Sequence, residues 1–143
     1  MKTFNIYLSG GMTGMSMSFQ YDWRVRIRNK LELCSESKYK VECFNPVDYY
    51  SNTRPEEYDS EREVMEFDLH NLRQTDLIIV NFNNPKSLGT MAEIAIAYDR
   101  RIPIIGLYEG QKEDLHPWQQ DMCNRILGSE SELVEYIEMY YLT

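Results

Sequence analysis

The chain of 143 residues is short of the side chains that hold metals and disulfides. It has three cysteines, Cys34, Cys43 and Cys123, and two histidines, His70 and His116. The cysteines are odd in number, far apart and without a C-x-x-C pair, so reduced thiols are expected. No Cys/His group has zinc-ligand spacing, and no G-x-S-x-G elbow for a serine nucleophile is present. Neither metal nor cofactor is expected. Positive charge is also scarce, with 15 Lys and Arg against 23 Asp and Glu and a formal charge of −8. That balance argues against polymeric nucleic acid as a partner, which needs a basic face. A single nucleotide stays open, because backbone amides can hold one phosphate. No apolar run approaches the ~18 residues of a membrane span, so no membrane partner is expected. Met1-Lys2-Thr3-Phe4-Asn5-Ile6 lacks a signal-peptide core and cleavage site, which predicts a cytoplasmic protein. Repeats, linkers and low-complexity stretches are missing too, so residues 1–143 read as one domain.

What is present alternates between strand and helix patterns. Phe4 to Leu8 reads as a strand that runs into the glycine-rich turn Ser9-Gly10-Gly11-Met12-Thr13-Gly14. Such a turn bends the backbone sharply or lets it approach a ligand; it is neither GxGxxG nor a Walker loop. Phe19, Trp23, Ile27 and Leu31 form the apolar stripe of a helix. Arg24, Arg26, Arg28 and Lys30 fall mostly off it and are assigned to a solvated basic face. Lys40 to Phe44 is a second strand, ended by Asn45-Pro46. Val47 to Pro55 is a polar loop whose Tyr49 and Tyr50 can wall a pocket or pack on the surface. Glu56 to Gln74 is a long charged helix. Leu77 to Val80 is a buried strand, followed by a polar turn and a helix opening at Gly89-Thr90. Ile102 to Leu107 is another strand. Trp118 to Leu127 reads as a short helix ended by Gly128. Ser129 and Glu132 form a capping box for the last helix, which is apolar nearly all round. Its surplus apolar face predicts a subunit interface and a homo-oligomer, a dimer or higher. The β-α order predicts an α/β flavodoxin-like three-layer sandwich, with a parallel sheet of four to five strands and helices on both faces.

Two carboxylates stand out. Glu93 is the only charge between Lys86 and Asp99, among Met91, Ala92, Ile94, Ala95, Ile96 and Ala97. Burying an unpaired charge is costly, so it needs a reason. Thr90-Met91-Ala92-Glu93 fits a capping box, in which the Glu reaches back to the N-cap amide. The competing reading makes Glu93 a nucleophile or base at the mouth of the sheet, where parallel sheets bind ligands. Asp68 falls on one face with Val64 and Leu72. It either faces the sheet beside Glu93, with Asn71 helping to hold it, or faces solvent.

Four stretches together resemble one known family. They are Tyr7-Leu8-Ser9-Gly10, Phe44-Asn45-Pro46, Asp68 with Leu72 and Thr75-Asp76-Leu77, and Gly89-Thr90-Met91-Ala92-Glu93 with Ala97 beyond. The chain resembles the nucleoside 2-deoxyribosyltransferases over almost its whole length. The resemblance implies a small-molecule nucleoside or nucleotide as substrate. It makes Glu93 the nucleophile at C1′, Asp68 the group that assists the leaving and incoming base, and Tyr7 the group that orients the nucleophile. It implies a substrate-binding set of Ser9, Gly10, Gly11, Ser87, Gly89 and Thr90. One position departs from the transferase pattern. Transferases usually carry an acidic residue two positions before the Gly-Thr, and here that residue is Ser87. The related deoxynucleoside 5′-monophosphate N-glycosidases have serine there, beside the phosphate. Ser87 as a plain helix cap is the other reading. A non-catalytic nucleotide-binding module and a TIR-like NAD glycohydrolase complete the alternatives.

Overall fold

The computed structural model describes residues 1–12, 15–34, 36–49 and 59–143. Five strands form one sheet: β1 (Thr3–Gly10), β2 (Lys40–Phe44), β3 (Leu77–Asn81), β4 (Ile104–Leu107) and β5 (Arg125–Leu127). Every neighbouring pair is parallel, and the spatial order is β2-β1-β3-β4-β5. The helices are α1 (Met17–Glu32), α2 (Glu61–Leu72), α3 (Leu88–Asp99), α4 (Pro117–Met122) and α5 (Glu130–Ile137). The α/β sandwich expected from the sequence is therefore present, with five strands. No helix among the described residues is long and apolar enough to cross a membrane.

The pleat divides the core in two. Successive strand residues point to opposite faces. Ile6 and Leu8 pack with Trp23 and Ile27 of α1 and with Leu133 and Ile137 of α5. Tyr7 packs on the other face, with Leu72 of α2 and Ile94 and Ala97 of α3. The same alternation aims Ser9 toward α2 and α3. β3 is buried throughout, as a central parallel strand covered on both sides should be.

From β1 the chain passes to β2 on one side and then returns to β3 on the other. The carboxyl ends of β1 and β3 lie side by side at this reversal, with Gly10 opposite Asn81. In open parallel sheets such a switch point is where ligands bind.

Several elements differ from the sequence reading. The helix expected over Glu56 to Gln74 is α2, capped by Ser60, whose Oγ accepts from the Glu63 amide; Tyr50 and residues 51–58 lie outside the described residues. The strand expected from Ile102 begins at Ile104. The helix expected to run from Trp118 to Leu127 stops at Met122. Cys123 is extended, and Asn124 joins the sheet, its amide donating to Ile104 O and its Oδ1 accepting from the Ile104 amide. Arg125–Leu127 is then an edge strand, too short for a period to show. Ser129 caps α5 as expected, but Glu132 Oε2 accepts from the Gly128 amide rather than the Ser129 amide. On α1, Trp23, Ile27 and Leu31 are buried as expected, whereas Phe19 is 42% exposed. Arg24 is not on a solvated face; it is 1% exposed. Gln20, Arg24, Ile27 and Leu31 form a second row beside the expected stripe, and that row also faces inward.

Candidate active site

Glu93 sits on α3, facing the end of β1. The helix begins earlier than the sequence suggested, at Leu88, and its N-cap is Ser87. Ser87 Oγ accepts from the Thr90 amide at 3.3 Å and from Thr90 Oγ1 at 3.0 Å. Glu93 is thus a turn too far along for the expected capping box. Its carboxylate turns instead to β1. Tyr7 Oη donates to Oε2, and Ser9 Oγ donates to Oε1 at 2.8 Å. Each carboxylate oxygen therefore has one hydroxyl donor, and both donors come from the same strand face two residues apart. Burial pushes the Glu93 carboxyl above its usual range, while the Tyr7 and Ser9 hydrogen bonds and the charge of Arg24 pull it back. Tyr7 is fully buried and stacks on Phe44, ring centroids 5.3 Å apart. Its burial, and then the charges of Glu93 and Asp68, hold the phenol well above its usual pKa. It remains a proton donor at neutral pH.

Asp68 is brought to the same place from α2, 9% exposed. Its Oδ1 has no hydrogen-bond partner among the described residues. Burial, and next the charge on Glu93, push its pKa up to about 7. Asn71 does not hold it; the Asn71 amide donates to Phe67 O, one turn back on α2.

A cavity of about 690 Å³ opens over the two carboxyls. Its walls include Glu93, Asp68, Gly10, Ser87, Gly89 and Thr90, so most of the anticipated residues meet around one space. Ser9 and Gly11 are not among its walls. Ser9 stands behind Glu93 as a donor, and Gly11 packs against Asn84, where an added Cβ would come within 3.0 Å. Tyr49 stacks on Phe44 and lines a different depression. The cavity's apolar surface comes from residues the sequence did not assign to the site, among them Met12, Val64, Met65, Leu69 and Leu88. Lys86 and Asn84 add polar groups beside Ser87. The oversight with most consequence is Arg24. Its position in the row of Gln20, Ile27 and Leu31 was the available signal.

A carboxylate held by two hydroxyls, a second carboxyl with a raised pKa and an open cavity at a switch point define a class: a parallel α/β domain with two carboxyls facing a cavity at the carboxyl end of its sheet. The nucleoside 2-deoxyribosyltransferase family model matches residues 6–130, and the chain belongs to that family. A conserved protein from Enterococcus faecalis V583 superposes with a TM-score of 0.75 at 17% identity, covering 96% of this chain and 98% of that one. The 2-deoxyribosyltransferase of Bacillus psychrosaccharolyticus superposes with a TM-score of 0.71 at 18% identity, covering 92% and 91%. A CMP N-glycosidase from Clostridium botulinum gives 0.60 at 20% identity, covering 95% and 98%. At these identities the likeness is one of fold. No curated protein matches the chain in sequence.

Proposed function

We propose that this protein cleaves the N-glycosidic bond of 2′-deoxynucleosides or their 5′-monophosphates and passes the sugar to another base or to water. The observation that carries this reading is the Glu93 carboxylate, held by Tyr7 and Ser9 on the floor of a cavity that Asp68 also faces. A carboxylate so oriented can attack C1′ as the C1′–N bond breaks. The departing base takes a proton from Asp68, which is partly protonated near neutral pH. This leaves a deoxyribosyl ester on Glu93 and a carboxylate on Asp68. A second base, or water, then attacks C1′, gives its proton to Asp68 and frees Glu93. Tyr7 and Ser9 fix the attacking oxygens and steady the carboxylate as it is released. A binding module on this fold has no use for a carboxylate prepared in this way.

A second reading, hydrolysis of 5′-monophosphates, draws on the start of α3. Ser87 uses both lone pairs as the cap, which leaves its O–H free to donate toward the cavity. Lys86 and the exposed amides at the start of α3 lie beside it, a setting that suits a phosphate. The assay is incubation with deoxynucleosides, their monophosphates and NAD, each with and without a second base. Free base or base exchange from a deoxy substrate is expected, and Glu93→Gln should abolish it while binding and fold persist. A Glu93→Gln protein with near-normal turnover, or cleavage of NAD alone, would overturn the reading.

A further inference from the structure

Arg24 is the only Lys or Arg that is buried among the described residues, and the mechanism above gives it no task. No carboxylate lies within 4 Å of it among those residues. A guanidinium so placed is costly unless its donors are met. Each of its three nitrogens donates to a backbone carbonyl. Nε donates to Leu8 O at 3.2 Å, Nη2 donates to Gly10 O at 3.0 Å, and Nη1 donates to Gln20 O. The first two acceptors stand on either side of Ser9, whose hydroxyl donates to Glu93. Gly10 permits this approach, since a Cβ there would lie 2.9 Å from the Trp23 ring and 3.4 Å from Arg24 Nη2. Gln20, one turn back, donates to Met12 O and Met15 O.

We propose that Arg24 is a positioning residue for Glu93: its fork fixes the two carbonyls that flank Ser9, and its charge acts on the Glu93 carboxylate across the end of β1. The inference rests on Glu93 being the nucleophile. Tyr7 and Ser9 from β1 hydrogen-bond Glu93, the charges of Asp68 from α2 and Arg24 from α1 act on it, and Lys86 and Glu61 line the same cavity. Burial lowers the Arg24 pKa to about 10, so it stays charged at neutral pH. Its charge opposes the upward push of burial on Glu93. Without that charge Glu93 would hold its proton to a higher pH, and each unit of such a shift lowers the ionised fraction about tenfold below the pKa.

The test uses Arg24→Met and Arg24→Lys with side-chain ¹³C-labelled glutamate, the Glu93 signal being assigned by its loss in Glu93→Gln. In Arg24→Met the Glu93 carboxyl should titrate at higher pH than in the wild type, and the acid limb of kcat/KM should move up with it. In Arg24→Lys the charge remains but the fork is lost. There the titration should stay near the wild-type value, while kcat falls roughly ten- to a hundredfold with KM little changed. If Arg24→Met does not fold, the kcat and KM of Arg24→Lys decide. An unshifted Glu93 titration in folded Arg24→Met, or wild-type kcat in Arg24→Lys, overturns the proposal. The carboxyl titration needs no turnover, so it tests Arg24 even if no deoxynucleoside or nucleotide is cleaved.

Discussion

Asp68 is a carboxyl kept where its protonated form is favoured. Its folded pKa of about 7 lies above the ~3.9 of an unfolded Asp. Between those values the folded state keeps a proton that the unfolded state has lost. Asp68 therefore contributes least harm to stability below about pH 4 and most above about pH 7. Asp68→Asn removes the titration. Its stability relative to the wild type should rise from pH 4 to pH 7 and level off beyond, by at most about 4 kcal/mol. Thermal or urea unfolding at several pH values measures this, and a difference that ignores pH would refute it. The same substitution should slow base release by roughly 10²–10⁴, less for bases that leave without a proton. More stability with less activity is the signature of a residue kept for chemistry. Asp68 and Glu93 were legible in the sequence because each breaks a local pattern, a charge on an apolar stripe and a charge in an apolar helix. The task of Tyr7 and Ser9 was not legible from pattern alone. Glu93 lies 86 residues from Tyr7 along the chain, and no local period connects them.

At the scale of elements, the start of α3 does two things at once. It caps twelve residues of helix and puts Ser87, Leu88 and Gly89 on the cavity wall. Ser87→Asp separates these tasks, because Asp is as good an N-cap as Ser and the helix should be kept. A carboxylate at that point would repel a 5′-phosphate and accept from a 5′-hydroxyl. If monophosphates dock here, Ser87→Asp should invert a preference for them over free deoxynucleosides, by tens-fold or more. Competition kinetics on paired substrates reads the ratio. Equal use of both substrates, before and after the change, would place the phosphate elsewhere. The element that pattern reading lost, β5, is three residues long and depends on Asn124 for its place beside Ile104. Arg24 was hidden by the habit of charged residues on amphipathic helices to face water; three carbonyls at a strand end and at Gln20 override that habit here.

For the whole molecule, the layered fold was readable because strand and helix periods alternate cleanly up to β4. What covers the far side of α5 and of the π-helical segment Glu138–Leu142 that continues it was not. Leu133, Val134, Ile137 and Leu142 face the core, while Met139 is 59% and Tyr140 66% exposed. We expect a second copy over that surface, giving a dimer or higher by light scattering at micromolar concentration. A monomer there would refute the expectation, and Tyr140→Lys should dissociate the assembly if it forms.

The strand order also bears on biosynthesis. The strand that carries Tyr7 and Ser9 leaves the ribosome before the other four, yet it lies inside the sheet and waits for β3 before both its edges are paired. A nascent chain released before α3 emerges would hold both hydroxyls and lack the carboxylate they serve. The arrangement of Tyr7, Ser9 and Glu93 can therefore form only once two distant segments of the message have both been read.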